Sequence, residues 1–176
     1  MRVVAGEFGG RRLHAPAGGG TRPTADRVRE ALFSILGDVS GARVLDLYAG
    51  SGALGIEALS RGASSAEFVD SGRRAVEAIR RNLAELGVDA AVHRRDALSW
   101  LAQAERGETY DLVFCDPPYD SAVRLAESLS ERLPAILSES ARIVTESDKR
   151  SPLDLPFRLV RERTYGDTRI AVYRGG

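Results

Sequence analysis

The stretch Tyr110–Tyr119, with the sequence YDLVFCDPPY, decides the fold of this chain. Its first part is rich in apolar, β-branched and aromatic residues and is flanked by polar ones, so we predict a strand buried on both faces of a sheet. Two prolines then follow Asp116. Because proline lacks an N–H group and has a fixed φ angle, the chain must leave the sheet in a stiff, extended turn. Ligands of open α/β sheets bind beyond the carboxyl ends of strands, so we expect this turn to border a ligand site.

The turn presents chemical groups that suit a planar amine. The Asp116 carboxylate and the Pro117 carbonyl are two fixed acceptors, and the Tyr119 ring lies close beside them in sequence. Two acceptors and a flat ring fit a planar molecule that carries an NH2 group. The alternative is a solvent-exposed connection between a strand and a helix, without a ligand.

Length and composition limit the possible classes of protein. The chain has 176 residues and a formal net charge of zero, which suits one globular domain and argues against a uniformly basic nucleic-acid binder. No apolar run approaches the ~20 residues of a membrane helix, and the first residues lack the apolar core of a signal peptide, so we expect a cytoplasmic protein. Cys115 is the only cysteine, and His14 and His93 stand far apart. We therefore predict no disulfide and no metal site.

Strands alternate with helices along most of the chain, which predicts a doubly wound sheet. The predicted strands are Ala42–Leu47, Ser65–Asp70, Val88–Arg94, Tyr110–Cys115, Ala141–Glu146, Phe157–Tyr165 and Thr168–Arg174. The last two are expected to form a terminal antiparallel hairpin that turns at Gly166 and Asp167. The predicted helices begin near Thr24, Arg73, Leu98 and Ala122, and a further one follows the glycine-rich turn within Tyr48–Leu59. Gly87 should end the helix that begins near Arg73. Thr24 is the expected N-cap of the first helix.

The N-terminal segment differs in composition from the rest of the chain. Residues 1–23 hold Arg2, Arg11, Arg12 and Arg22 against a single acid, Glu7. We predict a basic arm, either disordered or folded as a small β-hairpin, that suits a polyanionic partner and is followed by one domain at residues 24–176. Arg27, at the start of the first helix, continues this basic surface.

A glycine-rich turn follows the first strand of the predicted sheet. Gly50, Gly52 and Gly55 match the G-x-G-x-x-G pattern of dinucleotide sites, and Asp70 follows at the separation at which a carboxylate meets a ribose hydroxyl. A nicotinamide cofactor is therefore one interpretation. Asp46, just ahead of the glycines, argues against it, because a carboxylate there repels a pyrophosphate and suits a ligand with a sulfonium or ammonium charge.

The ordered set of motifs resembles the class I S-adenosylmethionine-dependent methyltransferases. The set consists of the acid-x-x-Ala-Gly-Ser-Gly turn, an acid that ends the second strand, Asp96-Ala97 after the third strand and Asp-Pro-Pro-Tyr after the fourth. The segments at 22–33 (RPTADRVREALF) and 46–55 (DLYAGSGALG) are similar to the bacterial 16S ribosomal RNA guanine-N2 methyltransferase family. The resemblance covers nearly the whole chain. It implies a Rossmann-like, seven-stranded, mostly parallel sheet with a C-terminal antiparallel hairpin and a small N-terminal β-hairpin.

The resemblance also implies roles for individual residues. The residues expected to bind S-adenosylmethionine are Asp46, Tyr48, Ala49, Gly50, Ser51, Gly52, Asp70, Ser71, Asp96, Ala97 and Asp116. Asp46 would lie near the methionine moiety, Asp70 at the ribose, and Asp96 with Ala97 at the adenine edge. Asp116 and Pro117 would accept hydrogen bonds from the exocyclic amine, and Tyr119 would stack on the base. The expected substrate is 16S ribosomal RNA in the 30S subunit or an assembly intermediate, modified by a monomeric enzyme whose methyltransferase domain is residues 24–176. The phosphates of this RNA would be contacted by Arg2, Arg11, Arg12 and Arg22 of the basic arm and by Arg27.

Other functions stay open from the sequence. An adenine-N6 methyltransferase acting on DNA would use the same Asp-Pro-Pro-Tyr turn, although such enzymes generally carry a target-recognition domain that does not fit in this length. A non-catalytic RNA-binding module on a methyltransferase fold is a third possibility, and the intact Asp116–Tyr119 turn argues against it.

Overall fold

The computed structural model describes residues 1–17, 26–104, 109–118 and 122–175. Its strands are β1 (Arg43–Leu47), β2 (Ser65–Asp70), β3 (Ala91–Arg94), β4 (Tyr110–Cys115), β5 (Leu137–Asp148), β6 (Arg158–Tyr165) and β7 (Thr168–Arg174). Its α-helices are α1 (Asp26–Leu36), α2 (Ala53–Ser60), α3 (Arg73–Leu86), α4 (Ala97–Leu101) and α5 (Ala122–Arg132). A 3₁₀ turn, Leu133–Ile136, connects α5 to β5. No helix in these described ranges is long and apolar enough to cross a bilayer.

The strands form one seven-stranded sheet in the order β3-β2-β1-β4-β5-β7-β6. The first five in that order are parallel, and β7 pairs antiparallel with both β5 and β6. This arrangement confirms the predicted α/β sheet with a C-terminal antiparallel hairpin. The carboxyl ends of β1 to β5 all lie at one edge of the sheet, which is called the carboxyl edge below.

Some element boundaries differ from the prediction. β3 begins at Ala91 rather than Val88, and β5 extends to Leu137 and Asp148 on either side of the predicted strand. β5 is longer because β4 pairs with one of its sides and β7 pairs with the other. The predicted N-cap Thr24 lies outside the described residues.

Apolar side chains cover both faces of the sheet. On one face they pack against α1, α2 and α3, and on the other against α4 and α5. The first face is built from strand residues Val44, Phe68, Leu112, Phe114 and Val144, and the second from Leu45, Leu47, Val69, Val113 and Ile143. Because β1 and β4 are buried on both faces, apolar residues occupy consecutive positions in them rather than alternating with polar ones, as in Val44-Leu45 and Leu112–Cys115.

Residues 1–17 pack against the first of these faces. Val3 and Leu13 are buried in its core, and Arg2 and Arg12 form one antiparallel bridge. The two predicted pieces thus face each other in a small hairpin, in which the Val3 N–H donates to the Arg11 carbonyl at 2.9 Å and the Leu13 N–H to the Met1 carbonyl at 3.1 Å. At Gly6 the backbone approaches α2 so closely that a Cβ atom would lie 1.8 Å from the carbonyl oxygen of Ser60. The boundary between an arm at 1–23 and a domain at 24–176 stays a prediction.

Candidate active site

The carboxyl edge collects most of the predicted site residues. The sheet order places β1 beside β4, at the point where the direction of strand addition reverses. Crevices at such switch points are the usual ligand sites of doubly wound sheets. The register pairs Leu47 with Cys115, so the glycine turn after β1 and Asp116 after β4 begin side by side.

The turn after β1 depends on left-handed backbone conformations. Tyr48, Gly50 and Gly52 have φ angles of 60°, 58° and 76°. Glycine adopts such angles without strain, whereas a residue with a side chain rarely does. Gly55 is required for a different reason, since a Cβ atom there would lie 2.4 Å from Cε1 of Phe68. The absence of side chains lets the backbone approach a ligand at the turn and lets α2 pack closely on β2.

Asp70 holds the glycine turn against the end of β2. One carboxylate oxygen accepts a hydrogen bond from the Gly50 N–H at 2.9 Å, and the other accepts one from the Gly72 N–H at 2.7 Å. An ionised carboxylate has about four lone-pair directions, so two remain for ribose hydroxyls. Ser71, which follows Asp70, is exposed at the same edge.

Asp46 lies beneath the turn and is only 2% exposed. Its carboxylate accepts a hydrogen bond from the Gly55 N–H at 2.9 Å, which satisfies a donor in the first turn of α2. Burial raises the pKa of Asp46 to about 8, the Gly55 N–H opposes this shift, and the charge of Asp70 adds to it. The carboxylate is thus an internal support of the turn, and its predicted role near a methionine moiety remains a prediction.

The predicted adenine edge is formed by Asp96 and Ala97, and Tyr48 lies near Asp96. Asp96 caps α4, with its carboxylate accepting a hydrogen bond from the Ser99 N–H at 2.9 Å, and Ala97 is buried. The Tyr48 hydroxyl is buried without a hydrogen-bond partner among the described residues. Burial raises the pKa of Tyr48, and the nearby Cys115 and Asp96 raise it further. An unsatisfied buried hydroxyl is costly, so this group is suited to bond a ligand atom.

Asp116 lies in a group of three carboxyl groups at the ends of neighbouring strands. Because Cys115 pairs with Thr145, Asp116 faces Glu146 across β4 and β5. Removal from solvent raises the pKa of Asp116 well above its usual range, and the charges of Glu146 and Asp46 raise it further. A cation bound beside these carboxyl groups would favour their ionised forms, so the group suits a cationic ligand.

The remainder of the Asp-Pro-Pro-Tyr turn is only partly described. Pro117 is buried and Pro118 is exposed, whereas the predicted stacking residue Tyr119 lies outside the described residues. Cys115 is 1% exposed, and burial raises the pKa of its thiol, so it is a buried apolar group rather than a nucleophile.

Sequence reasoning missed three polar residues that support the site. Asn82 on α3 is 1% exposed and donates to the carbonyls of Ser51 (2.9 Å) and His14 (3.0 Å), joining the glycine turn to the N-terminal segment. Glu146 ends a predicted strand, as Asp70 does, so its position in the sequence could have identified it as a site residue. Glu57 and Asn82 could have been found as polar residues on otherwise apolar helix faces.

Glu57 links the N-terminal segment to α2. It is fully buried and accepts hydrogen bonds from the N–H groups of Val4 (2.7 Å) and Ala5 (3.0 Å) and from Nε of Arg61 (2.7 Å). The fully buried Arg29 guanidinium lies 4.0 Å from it. The N-terminal segment is thereby bonded to a buried ionic cluster.

The predicted RNA-binding arginines have different surroundings. Arg2 forms an ion pair with Asp26 at 3.5 Å, and Arg11 donates to the carbonyl of Glu85 at 2.6 Å. Arg12 and Arg27 are exposed. Arg22 lies outside the described residues. The role of all five in RNA binding stays a prediction.

Comparison with known proteins places this chain in a family. The family model described as "Conserved hypothetical protein 95" matches residues 1–174. The chain belongs to this family. It is 41% identical to "Putative rRNA methyltransferase YlbH" of Bacillus subtilis (strain 168), over 99% of this chain and 98% of that protein. It is 37% identical to "Ribosomal RNA small subunit methyltransferase D" of Escherichia coli (strain K12), over 99% of this chain and 89% of that protein.

A solved structure of the family agrees with the fold. The structure of "Putative methyltransferase yhhF from Escherichia coli" superimposes with a TM-score of 0.84 and 35% identity, covering 99% of this chain and 97% of that one. The fold is therefore that of the class I methyltransferases, as the motifs predicted.

The residues at the carboxyl edge fit S-adenosylmethionine, the cofactor of this class. The left-handed glycines leave room at the turn, Asp70 offers free lone pairs to a ribose, and the Tyr48 hydroxyl lacks a partner among the described residues. The carboxyl groups of Asp46 and Asp116 suit the positive charge of a sulfonium. A pyrophosphate, as in a nicotinamide cofactor, would gain no such attraction, because an anion beside these groups disfavours their ionised forms.

Proposed function

We propose that this chain transfers a methyl group from S-adenosylmethionine to the exocyclic N2 amine of a guanine in 16S ribosomal RNA. The observation that carries the proposal is the pairing of β1 with β4, which sets the amine acceptors of the Asp116 turn beside the cofactor turn. The name of the Escherichia coli relative supports the small ribosomal subunit as the source of the RNA. We extend this to the subunit or its assembly intermediate as substrate and to a cytoplasmic, monomeric enzyme.

The proposed chemistry needs an activated amine. The lone pair of an exocyclic nitrogen is delocalised into the ring, so the nitrogen is a weak nucleophile. Acceptors on its N–H bonds, here Asp116 and the Pro117 carbonyl, favour a pyramidal nitrogen and stabilise the positive charge that develops on it. The bound cofactor supplies an electrophilic methyl group on a sulfonium. What remains is to hold the nitrogen in line with that methyl group.

The charge state of Asp116 follows from its surroundings. In the free protein its pKa is raised by burial, by Glu146 and by Asp46. A cation bound nearby favours the ionised form, so cofactor binding should lower this pKa and make Asp116 a stronger acceptor. The rate of methyl transfer should therefore increase with pH through the pKa of Asp116 in the complex, and Asp116→Asn should remove that dependence.

The test uses small ribosomal subunits from cells that lack this protein, together with labelled cofactor and nucleoside mass spectrometry. The wild-type protein should produce N2-methylguanosine in the 16S RNA. Asp116→Asn should weaken cofactor binding only slightly, because the glycine turn and Asp70 stay intact, but it should react ~10²–10³ times more slowly, the usual effect of losing one preorganised transition-state partner. Asp89→Asn, an exposed carboxylate outside the carboxyl edge, is the matched control and should react at the wild-type rate.

Two results would contradict the proposal. Methylation of adenine N6 instead of guanine N2 would show that the enzyme acts on the alternative amine. A normal rate for Asp116→Asn would remove Asp116 from the reaction.

A further inference from the structure

The edge strand β6 is unusual because it is exposed along nearly its whole length. Its sequence is RLVRERTY, and every residue except Tyr165 is exposed. It pairs on one side with β7 and is one of the two outermost strands of the described sheet, the other being β3. β6 therefore contributes little to the core, and its side chains are available to a partner.

The charged side chains of β6 are distributed unequally between the two faces of the strand. Arg158, Arg161 and Arg163 are exposed, and none of them forms an ion pair with a carboxylate of a described residue. The one acid of the strand, Glu162, is already held by Arg169 of β7 at 2.7 Å. The alternation of side chains along a strand puts Glu162 on the face opposite to Arg161 and Arg163. These two arginines, the β6 arginine pair, thus present uncompensated positive charge.

The register places the β6 arginine pair near the candidate active site. Arg163 pairs with Ile170, which pairs with Glu146, the residue that faces Asp116. Arg163 and Asp116 therefore occupy the same row of the sheet, three strand spacings or about 14 Å apart. Arg161 lies two residues, or about 7 Å, further from the carboxyl edge on the same strand.

We propose that the β6 arginine pair binds backbone phosphates of the RNA next to the nucleotide in the active site. This inference rests on the proposed function and adds a second RNA contact beside the predicted N-terminal arm. A polyanion is the partner that fits, because Arg163 lies in one row with Asp116, Arg161 lies two residues along the same strand, and neither forms an ion pair with a carboxylate of a described residue. Phosphate contacts of this kind set the position of the RNA without reading its sequence.

A second copy of the chain fits this edge less well. Edge strands are often protected by charged residues against pairing with another strand. Self-pairing through β6 would bring arginines of both copies side by side, and like charges at facing positions destabilise a ladder. The two exposed apolar residues of the strand, Leu159 and Val160, lie toward the opposite end from Arg163.

The same strand offers a matched control. Arg158 pairs with Arg174, whereas Arg163 pairs with Ile170, so the two arginines are four β7 residues or about 13 Å apart. Arg158 is exposed and lies at the edge of the sheet away from the site. Arg158→Gln removes the same charge from the same strand, at the end of β6 that lies away from the carboxyl edge.

The experiment compares the wild type, the double variant Arg161→Gln/Arg163→Gln, Arg158→Gln, and Arg161→Lys/Arg163→Lys. Steady-state methylation of unmodified small ribosomal subunits and of naked 16S RNA is measured at several salt concentrations, together with RNA and cofactor binding. In the double Gln variant, the KM for RNA in 0.1 M salt should rise ~10-fold, and the slope of log affinity against log salt should flatten by about 1.4–1.8. Its kcat and cofactor affinity should match the wild type. Arg158→Gln should be within twofold of wild type, and the double Lys variant should recover most of the affinity.

Three outcomes would overturn the proposal. An unchanged KM and salt slope in the double Gln variant would remove the β6 arginine pair from RNA binding. An equal loss in Arg158→Gln would mean a general charge effect. Dimerisation or aggregation of the double Gln variant with an unchanged KM would show that the arginines only protect the edge strand. If the wild type binds RNA through these residues but does not methylate it, the surface stands and the proposed function fails.

Discussion

Replacing Glu57 by Gln would test how firmly the N-terminal segment is held to the body. Glu57 is fully buried, and its two oxygens accept from the N–H groups of Val4 and Ala5 and from Arg61. Gln has the same shape, but it replaces one acceptor oxygen with an NH2 group. That group would face donors, so at least one buried N–H and the Arg61 charge would lose their partner.

The expected cost follows from these contacts. A hydrogen bond to a charged group contributes about 1.5–3 kcal/mol, and removing one member of a buried ion pair costs about 3–5 kcal/mol. We expect Glu57→Gln to lose about 3–5 kcal/mol of unfolding free energy. For a chain of this size each kcal/mol corresponds to about 2–4 °C, so Tm should fall by about 6–20 °C.

Urea and thermal unfolding would measure this change. The control is Glu77→Gln, which removes an exposed i,i+4 ion pair with Arg73 at 3.4 Å and should cost about 0.5 kcal/mol or less. Limited proteolysis should also cut the variant faster within residues 1–17. A loss of unfolding free energy below about 1 kcal/mol with an unchanged cleavage pattern would show that Glu57 does not hold the N-terminal segment, because a hydrogen bond to a buried charge contributes more than that.

Three further substitutions test the carboxyl edge. The pKa of Asp46 is raised to about 8 in the folded protein, so the native state binds a proton more tightly than the unfolded state, and this contribution to stability is lost as pH rises from about 4 toward 8. Asp46→Asn should remove this dependence of the unfolding free energy on pH, which amounts to up to about 1.4 kcal/mol per pH unit, and should raise Tm at pH 8. An unchanged pH profile in thermal unfolding would contradict the raised pKa of Asp46. Asp70→Ala removes the acceptor of the Gly50 N–H and should weaken cofactor binding by about 1–3 kcal/mol, so unchanged affinity by calorimetry would argue against its assigned role. Gly55→Ala puts a Cβ atom 2.4 Å from Phe68 and should cost about 1–3 kcal/mol in urea unfolding, and wild-type stability would show that α2 can shift freely.

Local chemistry made much of the fold predictable from the sequence. The bounds of α3, Arg73–Leu86, follow from its apolar spacing and from Gly87, which ends it with a φ of 71° and donates its N–H to the carbonyl of Ala84. The bounds of β4 follow from an apolar run and the prolines behind it. The ends of β5 were less predictable, because a strand continues for as long as its neighbours offer partners, and β7 is a neighbour only after folding.

The candidate site was predictable where its residues stand at strand ends. Asp70, Asp96 and Asp116 follow predicted parallel strands, and all such ends meet at one edge. The charge state of Asp116 was not predictable in this way. Its pKa depends on burial and on Glu146, which is brought beside it by the pairing of β4 with β5.

The sequence alone determined the α/β class, the order of the strands along the chain and the motifs at their ends, because these depend on periodicity and on residues close in sequence. Only the tertiary structure decided which polar groups meet in the interior. Glu57 bonds to the N–H of Val4, 53 residues away, and Asn82 bonds to His14, 68 residues away. No pattern in the local sequence predicts these pairings. A buried carboxylate or amide needs hydrogen-bond partners, and only the packing of the whole fold determines which groups are close enough to serve as partners.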